Sequence, residues 1–168
     1  MRALIVALVV AAAAPTTYVA GLDSGSAPVL GGARIGTLRQ ATRTFGKPDR
    51  LRPLAGAHAV CRAVWERYAL EIRFTTTSGC AAPGSWWQVT MRAARWHTRL
   101  GLHVGDAEAK LHALYPHARR LDFLGLGTLW ELETGGPLCD GGPPLALAGR
   151  IAAGKVSALL VVHVPACG

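Results

Sequence analysis

The sequence predicts an α+β fold, two tandem helix-plus-three-strand repeats forming one antiparallel sheet with its helices on one face. Two observations carry this. An aliphatic–glycine–cap–helix motif occurs twice, at Gly36 and at Gly105, 69 residues apart. After each copy come short runs in which apolar and polar residues alternate, the period of a half-buried strand.

The first motif is Ile35-Gly36-Thr37 followed by LRQATRTFGKP. Thr37 with Gln40 fits a capping box, and Gly46 with Pro48 ends the helix. The second is Val104-Gly105-Asp106 followed by AEAKLHALYPH, with Asp106 as the expected N-cap, Glu108 in the first turn and Pro116 as the stop. Helices this short need a surface to dock on. Residues 61–66, 69–75 and 87–93 supply strands in the first repeat. In the second of these Leu70, Ile72 and Phe74 alternate with Glu71, Arg73 and Thr75. In the third, Trp87, Val89, Met91 and Ala93 are expected inward, and Gln88, Thr90 and Arg92 outward. The second repeat reads as strands at 128–133, 144–151 and 155–164, the last two joined by a turn at 152–154. The expected organisation is therefore a leader over 1–21, a mobile Gly/Ser/Pro-rich segment over 22–33, and one domain over 34–168 with repeats at 34–95 and 101–168.

Composition bounds the class. Half of the 168 residues are apolar and 17% are charged, enough apolar residues to build a core. The formal charge is +8, mostly from scattered arginines, with Lys47, Lys110 and Lys155 the only lysines. No block of like charges and no recognition motif accompanies that basic balance, so nucleic acid is not an expected partner.

Met1-Arg2 and the twelve apolar residues at 3–14 form a charged start and an apolar stretch. As a helix, twelve residues reach about 18 Å, short of a bilayer core of about 30 Å, which suits an export signal better than a membrane span. Small residues suit a peptidase near Ala13 and also near Ala20 or Gly21, and the sequence leaves the two open. Expected are a secreted or cell-envelope location and no stable membrane insertion after cleavage. Cys61, Cys80, Cys139 and Cys167, four in number, then read as two disulfides. Of three connectivities, Cys61–Cys80 with Cys139–Cys167 keeps each bridge within one repeat.

The segments IGTLRQATRTFGKPD and LHVGDAEAKLHALYP resemble the glycine-capped helix of small bacterial envelope proteins. These are the SmpA/OmlA type of outer-membrane-assembly lipoprotein and the beta-lactamase-inhibitor-protein fold, whose tandem repeat this chain is the more similar to. The resemblance implies an extracytoplasmic α+β protein, often with a protein partner. No residue here matches the inhibitor's binding residues, so it carries over no activity.

Catalytic parts are not evident. Gly-x-Ser-x-Gly is absent, and Asp106 with Glu108 reads as capping rather than as an acid–base pair. His97, His103, His112 and His117 lie near one another in sequence, but Pro116 separates the last two, and no metal or other cofactor is expected. Trp65, Trp87 and Trp130 fall on strand positions expected in the core. Trp86 falls on the polar face with Gln88, Thr90 and Arg92. Trp86, Arg73, Arg92 and Glu71 are the candidate binding residues, since an exposed tryptophan amid arginines suits protein recognition. The expected function is a non-enzymatic binding module for an extracellular or envelope protein. A small secreted hydrolase of cell-wall or surface polymer is the alternative.

Overall fold

In a computed structural model of the chain, the residues described are 17–22, 27–54, 60–123, 126–135 and 145–163. Eight strands form one antiparallel sheet. They are β4 (Arg50–Leu54), β5 (Val60–Trp65), β6 (Leu70–Thr75), β7 (Trp86–Met91), β9 (Arg119–Phe123), β10 (Gly127–Gly135), β11 (Leu145–Ala152) and β12 (Lys155–His163). Their order is β4-β5-β6-β7-β12-β11-β10-β9, so two four-stranded meanders meet along β7 and β12. A second sheet, ordered β3-β2-β1-β8, contains β1 (Tyr18–Leu22), β2 (Pro28–Leu30), β3 (Ala33–Arg34) and β8 (Trp96–Thr98), and β1 runs parallel to β8. Helix α1 (Leu38–Phe45) precedes the first meander and α2 (Glu108–Leu114) the second.

The α+β expectation is therefore overturned. The protein is mostly β, with two sheets rather than one and, among the described residues, only two short α-helices. Each meander has four strands, not three. The strands that went unread, β4 (RLRPL) and β9 (RRLDF), are the two edges of the large sheet. An edge strand next to water carries charge and proline instead of clean alternation, which also discourages pairing with another chain. Within the 22–33 segment expected as a mobile leader, Leu22 ends β1, Pro28–Leu30 form β2 and Ala33 begins β3. Of the expected export leader only Thr17–Gly21 is described, most of it in β1; residues 1–16 lie outside the described residues.

Local chemistry explains both helices. Thr37 caps α1 and the capping box with Gln40 is complete, while Gly46 ends the helix at φ 81°. Asp106 does not cap α2, whose N-cap is Ala107. Its Oδ2 instead accepts from the His103 backbone N–H at 2.7 Å and pairs with Lys110 at 2.8 Å. Ala153 and Gly154, at φ 50° and 70°, make the tight β11–β12 hairpin that the sequence announced.

Both helices and the small sheet bury their apolar sides against one face of the large sheet. That core joins Ala41 and Phe45 of α1, Leu111 of α2, and Ala20, Leu30 and Trp96 of the small sheet to Trp65, Ile72, Phe74, Val89, Leu159 and Val161. The Phe45 ring meets Trp65, Tyr68 and Trp96 at 5.2–6.2 Å, edge-on. On the opposite face Leu129, Ala146, Ala148, Ala158, Leu160 and Val162 form a second, smaller buried cluster. Cys61 and Cys80 form a disulfide, as expected. The expected Cys139–Cys167 bridge lies outside the described residues.

Candidate functional site

Cross-strand register builds the site. Antiparallel neighbours directly opposite each other point to the same face. Arg52, Arg62, Arg73 and Gln88 stand opposite one another on β4, β5, β6 and β7. The next row along is Arg50, Val64, Glu71 and Thr90. Both rows lie on the face away from the helices, because the intervening Cys61, Ala63, Ile72 and Val89 belong to the core.

Glu71 is the centre. Its carboxylate is only 3% exposed and accepts from Arg62 Nη2 at 2.8 Å, Arg73 Nε at 3.0 Å and Arg92 Nη1 at 3.4 Å. The three arginine side chains are 25%, 32% and 43% exposed, so each reaches water while one edge is held. Arg73 also donates to Gln88 Oε1 at 3.5 Å, and Gln88 Nε2 to Thr90 Oγ1 at 3.0 Å. Burial alone pushes the Glu71 carboxyl up. The hydrogen bonds and charges of Arg62 and Arg73 outweigh it, and the group ends below the ordinary glutamate value. The same contact holds the Arg62 guanidinium above its ordinary value. Three cations against one anion leave a local excess of two positive charges. Like charges directly opposite on paired strands repel, and Glu71, which pairs with both Arg62 and Arg73, offsets part of that cost.

Of the four residues expected to form a binding patch, the structure brings together Glu71, Arg73 and Arg92. Trp86 is elsewhere. It is 3% exposed and packs in the core, whereas Trp87, expected inside, is 46% exposed. The cause is a β-bulge. Phe74 pairs with Trp86 and Arg73 with Gln88, which leaves Trp87 as an extra residue on β7. Before the bulge alternation runs one way and after it the other. Both rings stack on His163, at 4.6 Å and 5.5 Å. Arg62 is the member the sequence reading missed. Its signal was present, because it alternates with Cys61, Ala63 and Trp65 on a strand whose other side is core.

The second meander carries a smaller version. Glu131, 5% exposed, accepts from Arg119 Nη2 at 3.0 Å and 3.1 Å. Elsewhere, His97 and His103 face each other across the 97–103 turn with ring centroids 4.9 Å apart. The Nδ1 of each meets a backbone carbonyl, of Thr98 and Ala94. The ring of His112 packs edge-on against Trp130. Among the described residues no three His, Cys, Asp or Glu side chains converge on a point that a metal ion could share.

These features define a mostly β protein with two packed sheets and an arginine cluster organised by a buried carboxylate. No family model matches the chain, and neither a curated protein nor a solved structure does. The likeness to the SmpA/OmlA type and to the beta-lactamase-inhibitor-protein fold rests on the two glycine-capped helix motifs alone.

Proposed function

We propose that the protein is an exported, non-enzymatic binding module that uses the arginine-rich face of its large sheet to hold an acidic segment of a protein partner. One observation carries the reading: three half-exposed guanidiniums are fixed in place by a carboxylate that is itself almost fully buried. Flexible arginines lose rotamer freedom when they bind, and Glu71 removes part of that loss in advance. The donors left over form planar forks suited to carboxylates. A disulfide between Cys61 and Cys80 is compatible with an oxidising, extracytoplasmic setting. No helix among the described residues is long and apolar enough to cross a membrane.

The test uses poly-L-glutamate as the acidic probe, titrated into the protein at low salt and followed by calorimetry. The Arg62→Ala/Arg73→Ala double variant should bind about tenfold more weakly or worse, equivalent to about 1.4 kcal/mol. Arg39→Ala/Arg43→Ala on α1, equal in charge change and remote from the sheet face, should leave binding within about twofold. Equal losses from both doubles would reduce the site to net charge and sink the proposal.

A further inference from the structure

We propose that the protein binds a divalent transition-metal ion, Cu2+ most tightly, through the Nε2 atoms of His97 and His103. Two observations carry this: the rings stack across a narrow antiparallel pair, and the tautomer of each is fixed. His97 lies in β8, and His103 lies opposite it on the chain returning from the turn at 99–101. The flanking backbone bonds run from the Val104 N–H to the Trp96 carbonyl at 3.2 Å and from the Thr98 N–H to the Leu102 carbonyl at 2.9 Å. His97 and His103 are therefore a non-hydrogen-bonded pair, the kind whose side chains approach more closely, and both point to one face. Their neighbours Trp96, Thr98, Leu102 and Val104 are buried, so the two imidazoles occupy the outer face.

The ring centroids are 4.9 Å apart and the planes 24° from parallel. Nδ1 of His97 lies 2.9 Å from the Thr98 carbonyl oxygen, and Nδ1 of His103 lies 3.0 Å from that of Ala94. A carbonyl oxygen can only accept, so each Nδ1 carries a proton and donates it. Each neutral ring then keeps a lone pair at Nε2. Histidines that hold metals are commonly oriented in this way, with the other ring N–H donated to a carbonyl. The backbone under the pair is held from both sides, because β1 pairs with β8 and sets Val19 beside His97.

The donor set selects the metal. Imidazole nitrogens suit borderline ions and not Mg2+ or Ca2+, which take oxygen ligands. Among the described residues no third His, Cys, Asp or Glu joins the pair, so the site is open and water completes the coordination, unlike a closed four-ligand zinc centre. Cu2+ stands highest in the affinity order of the divalent ions and accepts two nitrogens with water in a tetragonal arrangement. The charges nearby permit a cation. The Asp106 carboxylate accepts from the His103 backbone N–H at 2.7 Å, and Arg99 on the turn is paired with Glu133 at 3.6 Å. The sequence expectation of no metal turned on Pro116, which separates His112 from His117; the His97–His103 pair comes instead from register across the turn.

The test titrates Cu2+ alone into the full chain, in a non-coordinating buffer at about pH 7.5, and follows binding by calorimetry. His97→Gln and His103→Gln should each weaken binding about tenfold or more. The double variant should lose no more than either single one, because a chelate is broken once one imidazole is gone. His112→Gln/His117→Gln, equal in histidines removed, should leave binding within about twofold. Smaller losses in the single variants, losses that multiply in the double variant, or an equal loss in the His112/His117 control would overturn the proposal. A measurement on the wild type guards against variants that misfold. Substoichiometric Cu2+ should broaden the NMR signals of His97, His103 and their immediate neighbours before any others. Broadening centred on another histidine or on the amino terminus would overturn the proposal.

Discussion

The two meanders of the large sheet share an order of elements and differ on the face turned away from the helices. In β4–β7 that face carries Arg52, Arg62, Arg73, Glu71 and Gln88; in β10–β12 it carries Leu129, Ala146, Ala148, Ala158, Leu160 and Val162. Both inward faces are apolar, and strand β1 of the small sheet packs on β10, β11 and β12. Packing against helices constrains every second residue of a strand and leaves the alternate residues free. The same topology therefore supports two chemistries. One half is stabilised mainly by apolar contact, with the Arg119–Glu131 pair beside it. The other tolerates a buried carboxylate because three guanidiniums compensate it, an arrangement that contributes little net stability but defines geometry.

Substitutions can break or sharpen that contrast. The largest effect is expected on the shared inward face, at the bulge. Trp86→Ala should cost about 3–5 kcal/mol by denaturant unfolding, as loss of a buried aromatic does. Trp87→Ala should cost under about 1 kcal/mol, because its half-exposed ring forfeits only the stack on His163. Equal costs would place the bulge wrongly.

Next comes the apolar outer face. Leu160 is fully buried between Thr90 and Ala148. Leu160→Ala should cost about 3 kcal/mol, with no dependence on salt or on pH between 4 and 7. A strong salt dependence there would blur the distinction between the halves.

Smaller and pH-dependent is the effect of Glu71→Gln. Removing the buried anion leaves three arginines facing one another, at a cost of about 2 kcal/mol at neutral pH. That figure is below the 3–5 typical of a fully buried pair because the guanidiniums reach water. The folded carboxyl lies below its ordinary value of 4.5, so unfolding takes up a proton in the interval between the two. The stabilisation is full above about pH 4.5 and disappears as pH falls through the lowered folded value. Wild type and Glu71→Gln should therefore converge in acid when unfolding is measured from pH 7 to pH 3. Parallel curves across that range would mean that Glu71 carries no special charge interaction.

What the sequence determined by itself is local. The Thr37–Gln40 capping box, the stop at Gly46, the alternation of β6 and the Ala153-Gly154 hairpin depend on residues close in the chain. All of them could be read there. Tertiary structure decided the rest. β4 (RLRPL) and β9 (RRLDF) each hold only two large apolar residues amid charge and proline, too short a pattern to read alone, and an edge strand's identity comes from its neighbour. β1 had the composition of a leader and became a strand only because β2 and β8 flank it. Which tryptophan faces water turned on a single extra residue in β7, whose presence depends on the register against β6. Arg73, Arg92 and Glu71 were readable as a group from alternation, while Arg62 joined them through pairing across β5 and β6. Short-range patterns are written in the chain because capping and pleating act over a few residues. Register, edges and bulges are set between strands, where the deciding partner lies further along the chain, 9 residues for Arg62 and Glu71 and 15 for Arg73 and Gln88.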